Sequence, residues 1–264
     1  MASGSQENVA SASGRTDNVA SASGAADIIP KFDMHAYMSV MSEGDVRDAA
    51  RVYGIPEDLH PRLPPPGMTM DRLPRNAIGI YEAYLEFSGV RVPFSTFLLQ
   101  VLNHFRVHLS QLVPIGLTKV ILFEVYCRSL NFAPYLTLFR LFYMLQKQGH
   151  WFSFARRTGK NGQARIFNET CSSLKHWKDR FFLIDRRAIP QAMPWRHSDS
   201  SVSELSPLGG YQPEHVDALT AAVVDIQALH PALLFEAGLS KLWKYPGHRP
   251  VFKDGEGNGN SLCC

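Results

Sequence analysis

The chain has little of what fixes a chemistry. Four cysteines stand among 264 residues. With no CxxC spacing they exclude zinc ribbons and CCHC knuckles, and they form no disulfide framework, which fits a reducing compartment. Cys127 lies in an apolar run and reads as a buried thiol. The adjacent Cys263 and Cys264 read either as a lipidation target or as a tail left at a gene end. Long hydrophobic runs are missing too. Residues 112–127 are the longest apolar stretch, broken by Lys119 and Glu124, too short and too charged for a bilayer. Residues 1–24 hold no signal-peptide core. A soluble, intracellular protein is expected, with nucleus and cytoplasm not separated. Charge of one sign is scarce overall: the net is +3, which does not by itself mark a nucleic-acid binder.

Catalytic signatures are equally scarce. GxxxxGK[ST], GxGxxG and the GxSxG elbow do not occur. His104 and His108 sit four apart on an expected helix, where two imidazoles can share a metal, but no HExxH pattern accompanies them and they read as surface or cap residues. Glu169, Asp179 and Asp185 are the acids nearest the basic region. They could form a two-metal carboxylate set, or pair with Lys175, Lys178 and Arg186. No catalytic residue, metal or cofactor is assigned.

What is present is enough apolar material for a core, 45% hydrophobic and 11% aromatic. A disordered low-complexity arm is expected over 1–30, where Asn8-Val-Ala-Ser-Ala-Ser-Gly14 recurs ten residues later. An N-terminal helix and Pro-rich connector occupy 31–76. Ser42 and Asp45 have the spacing of a capping box, the helix runs to Tyr53, and Gly54 and Pro56 stop it. Residues 78–87 read as a short strand leading into a helix. Helices follow from about 95 to 105, from 118 to 130 and from 135 to 146, as a compact bundle. Residues 151–154 and 180–185 read as strands with a glycine-containing basic loop between them. Residues 201–254 are a linker and two C-terminal helices, at 213–229 and 232–242, and 255–264 a flexible tail. The fold class is therefore α+β and predominantly α-helical, a helical bundle with a small β-hairpin or sheet element and disordered termini.

Charge is concentrated in one place. Residues 140–187 carry 11 basic and 3 acidic side chains, together with Trp151, Phe152, Phe154, Phe167, Trp177, Phe181 and Phe182. Cations follow phosphates and free rings stack on unpaired bases, so this mixture suits a nucleic-acid surface. The candidate contacts are Arg156, Arg157, Lys160, Arg165, Lys175, Lys178 and Arg180. The same composition also fits buried rings beside a solvated cationic face.

Phe87-Ser-Gly-Val-Arg-Val-Pro-Phe-Ser-Thr-Phe-Leu-Leu-Gln-Val-Leu-Asn-His-Phe105 resembles the signature of the plant "putative gypsy-type transposon" domain. Leu109-Ser-Gln-Leu-Val-Pro114, Leu138-Phe-Arg-Leu-Phe142, Trp151-Phe-Ser-Phe154 and Leu174-Lys-His-Trp-Lys-Asp-Arg-Phe-Phe-Leu-Ile184 follow in the family's order, over residues 50–200, with the domain itself placed at 77–200. The resemblance implies a retrotransposon-derived protein without polymerase, protease or integrase signatures. It implies a gag-like, non-enzymatic module whose partners are RNA or DNA or a second copy of the chain. No membrane or small-molecule substrate is indicated. A divergent polynucleotidyl transferase, or a scaffold using the apolar helix around Phe94 to Phe105, are the alternatives.

Overall fold

The computed structural model describes residues 33–158, 162–168, 173–189, 193, 195–197, 200, 210–224 and 231–242, and the backbone of 251–253 and 259–261. The expected disordered arm, the basic-loop residue Lys160, Glu169 and the terminal cysteines lie outside the described residues. Contacts divide the chain into units 1–30 and 31–264, and the described residues all belong to the second.

Local signals set the first helix. Ser42 caps α1 (Glu43–Tyr53), accepting from the Asp45 amide while the Asp45 carboxylate accepts from the Ser42 amide. Gly54 ends it in the left-handed conformation, at φ 64°. Strand β1 (Ala77–Tyr81) runs directly into α2 (Glu82–Glu86), as expected of residues 78–87. Ser95 caps α3 (Thr96–Phe105), and Pro114 opens α4 (Pro114–Ser129) at a position where its missing N–H costs nothing. Helix α4 buries residues on every side, so it is the axis of the core. It packs on α2, on α3 and on β3 (Trp151–Arg156).

The bundle is shorter than the periodicity predicts. Helix α5 covers only Leu136–Phe142, and the chain then turns into strand β2 (Tyr143–Gln148) instead of remaining helical to 146. Strand β2 pairs antiparallel with β3, Leu145 opposite Phe154, and Gly149 turns the hairpin at φ 63°. Strand β4 (Phe181–Asp185) pairs with β1 instead, Gly79 opposite Leu183. The two strands expected around the basic loop thus belong to different sheets. The fold is mixed α+β, with helices and small antiparallel sheets sharing one core. Helices α6 (Pro213–Thr220) and α7 (Pro231–Glu236) and the pair β5 (Val251–Lys253) and β6 (Gly259–Ser261) complete it. Both C-terminal helices are shorter than predicted. Among the described residues, no helix is long and apolar enough to cross a membrane.

The apolar face of α3 is spent inside the molecule. Phe94, Phe97, Leu98, Val101, Leu102 and Phe105 are all buried, which removes the free helix surface expected of a scaffold. His104 and His108 do not share a helix face, because α3 ends at Phe105 and Arg106 turns left-handed. His108 instead caps a short 3-10 turn (Leu109–Gln111), its Nδ1 accepting from the Ser110 amide at 3.2 Å.

Candidate nucleic-acid interface

The rings of the basic segment are core residues. Trp151, Phe152, Phe154, Phe167, Trp177, Phe181 and Phe182 are each at most 7% exposed. Trp177 meets Tyr81 edge-on at 4.8 Å and Trp151 at 5.6 Å, and Phe154 does the same with Phe105 and Phe139. The expectation that some of these rings stay free for base stacking is therefore corrected: burial offers about 25 cal/mol per Å² of apolar surface, which large rings realise by packing together.

The candidate cations divide by what they touch. Arg157 is 4% exposed and its Nε donates to the Arg140 carbonyl at 2.6 Å. Lys178 lies over the rings of Trp151 and Tyr37, 4.6 and 4.9 Å from their centroids. Arg180 joins three elements, donating to both Glu82 carboxylate oxygens on α2 and pairing with Asp45 on α1 at 3.4 Å. The Glu82 bond pushes its guanidinium further into the charged form. These three hold the fold together. Lys175 is exposed.

Arg156 and Arg165 are brought together. They line one small cleft with Lys119, Asn168, Thr118 and Tyr143, over a floor of Phe87, Ile115, Leu122, Ile166 and Phe167. Three separate parts of the chain supply its polar rim, besides Tyr143 at the start of β2. Helix α4 supplies Lys119, seated there because Gly116 lies flush against Ser153 and Phe154 of β3. The Lys119 Nζ donates to the Phe154 carbonyl at 2.9 Å. The end of β3 supplies Arg156. The 165–168 segment supplies Arg165 and Asn168, tied down by Val224, whose amide donates to Ile166 and whose carbonyl accepts from Asn168. Arg165 is exposed, with no carboxylate partner among the described residues.

Among the described residues, no acidic side chain lines this cleft. At about 60 Å³ it is far smaller than the several hundred Å³ a bound base or cofactor needs. The arrangement can hold a phosphate-sized anion at a positive rim but cannot enclose a base. Lys119 carries no functional signal in the sequence beyond interrupting an apolar run. A lysine in the first turns of a mostly apolar helix, well away from the Glu124–Arg128 pair near its end, is the feature that could have found it.

The two described acids of the set, Asp179 and Asp185, do not converge. Asp179 precedes β4 and Asp185 ends it, about 20 Å of extended chain apart. Asp185 is taken up by His60 at 2.7 Å and Arg62 at 3.0 Å, and the His60 hydrogen bond, with that of Arg62, holds its carboxyl below the usual range. Among the described residues, no three histidine, cysteine or acidic side chains are placed to hold a metal ion. Cys127 is buried, and its burial pushes the thiol pKa up, so it is held as a neutral thiol.

No curated protein and no solved structure matches the chain. Residues 80–147, which run from the end of β1 through α2, α3, α4 and α5 into β2, match the model of a family described as "Putative gypsy type transposon".

Proposed function

We propose that this transposon-related domain is a non-enzymatic, gag-like module that contacts the phosphate backbone of RNA or DNA through Lys119, Arg156 and Arg165. The observation that carries the reading is the meeting of three cations from distant parts of the chain around a cleft with no carboxylate among its described lining residues. Cations so placed gain by releasing counterions from a polyanion. The burial of every aromatic candidate argues for backbone contact without base stacking, hence for weak sequence preference.

Filter binding to single-stranded RNA and DNA at two salt concentrations tests it. Affinity is expected to fall as salt rises. The Arg156→Ala, Arg165→Ala double variant is expected to flatten the logarithmic salt slope by about 1.4, roughly 0.7 for each phosphate no longer neutralised. Binding that ignores salt, or a double variant that binds as tightly as the parent, rejects the proposal.

A further inference from the structure

A second cleft, on another part of the molecule, has a different character. Its volume is about 470 Å³, within the range of small-molecule sites. Its walls are the end of α1 with Gly54, the 89–96 segment that enters α3, Ile121 and Arg128 of α4, and the 238–242 segment after α7. Leu242 closes against Gly54 so tightly that a Cβ there would lie 2.9 Å from the leucine Cδ1. Tyr53, Val92, Phe94, Leu98 and Leu239 give it a largely apolar interior.

Three cations line it: Arg91, Arg128 and Lys241. Arg128 is already balanced. Its Nη2 pairs at 2.8 Å with Glu124, a fully buried carboxylate that also accepts from the Ser95 hydroxyl at 2.6 Å. Arg91 is not balanced. Its Nη1 donates to the carbonyls of Leu85 and Val90, and its guanidinium lies 4.9 Å from the centre of the Tyr53 ring, but no acidic side chain among the described residues pairs with it. Burial with no countercharge pushes its pKa down to about 10. Lys241 is exposed at the mouth and likewise has no acidic partner among the described residues. No carboxylate lines the cleft among the described residues, and residues of the first turn of α3, the positive end of its dipole, line it.

We infer that this cleft binds a phosphate monoester carried on a flat, weakly polar body of nucleoside size. The two cations without countercharge call for an anion of about two charges, which a monoester carries near neutral pH. The guanidinium fork of Arg91 suits phosphate oxygens, Lys241 adds a point charge, and the apolar walls accept the body. The site is separate from the Lys119, Arg156 and Arg165 cleft and does not depend on it. It also departs from the sequence expectation that no small molecule is bound.

Isothermal titration of AMP into the full chain, with adenosine and inorganic phosphate as parallel probes, tests the inference. AMP is expected to bind saturably and more tightly than either probe. Lys241→Ala changes an exposed side chain and is expected to weaken AMP by about tenfold without lowering the melting temperature. Arg91→Lys keeps the charge and loses the fork, and is expected to weaken AMP as well. The Arg156→Ala, Arg165→Ala variant is expected to bind AMP unchanged. Absence of AMP binding at millimolar concentration, adenosine or phosphate matching AMP, unchanged affinity in Lys241→Ala, or loss of AMP binding in the Arg156, Arg165 variant would each overturn it.

Discussion

Gly116 on α4 faces Ser153 on β3 with no room for a methyl group between them. A Cβ on Gly116 would stand 2.7 Å from the Ser153 hydroxyl oxygen and 2.8 Å from its Cα. The backbone cannot yield as a flexible side chain could. Gly116→Ala is therefore expected to push the helix off the hairpin and to cost about 1–3 kcal/mol, the usual range for overpacking. Chemical denaturation measures it. A variant as stable as the parent would mean that α4 and β3 can separate freely. Because α4 also carries Lys119, nucleic-acid affinity should fall alongside stability.

Tyr84 is fully buried, and its hydroxyl serves the carbonyls of Leu109 and Leu112 at 2.9 and 2.6 Å. Tyr84→Phe keeps the ring and takes the hydroxyl donor from the Leu112 carbonyl, while the Leu109 carbonyl keeps the Leu112 amide. The expected loss is about 1–2 kcal/mol by thermal or urea unfolding, with no change in the overall fold. A neutral result would require water to reach that interior position.

His108 gives a pH dependence. It is stacked on Trp195 at 4.8 Å and sealed in by Gln111, which bonds both the amide and the carbonyl of Arg196. Burial, with Arg186 nearby, pushes its pKa down to about 4. The unfolded chain, with an ordinary histidine near 6.5, takes up a proton between those values while the folded chain does not. Stability is therefore expected to be full above about pH 6.5 and to drop as the pH falls toward 4, by about 3 kcal/mol from this group. Carboxylates contribute in the same direction, so the comparison is with His108→Asn, which can still accept from Ser110 and should show a shallower acid limb. Parallel limbs would mean that His108 titrates normally.

Arg157 and Arg165 lie eight residues apart in one basic segment and are expected to fail in opposite ways. Arg157→Ala should lower stability by about 2 kcal/mol, since it strips a buried donor from the Arg140 carbonyl, and should leave the salt slope of nucleic-acid binding unchanged. Arg165→Ala should leave unfolding within about 0.5 kcal/mol of the parent and reduce the slope. Melting curves and filter binding on the same two proteins separate the roles.

Sequence alone reveals what neighbours along the chain decide. The start and stop of α1 are written in Ser42, Asp45 and Gly54, and the β1 to α2 transition in a run of ten residues. The α5 to β2 switch is not legible. Leu138, Phe139, Leu141, Phe142 and Leu145 satisfy a helical period, and the chain leaves it at Tyr143 because residues 151–156 offer a partner strand. The same limit governs the candidate interface. Composition locates the basic segment, but whether a cation faces water is set by residues far away: Glu82 claims Arg180, the Arg140 carbonyl claims Arg157, and Lys119 joins Arg156 only through the Gly116 contact.

The two strand ladders reach beyond the matched segment. The segment that matches the transposon family begins inside β1 and ends inside β2, yet their partners, β4 and β3, both lie downstream of it. A clone trimmed to that stretch would expose two orphaned strand edges and the face of α4 that β3 covers. The matched segment is thus not a self-sufficient folding piece, and a fragment that keeps both ladders must include Ala77 and reach Asp185.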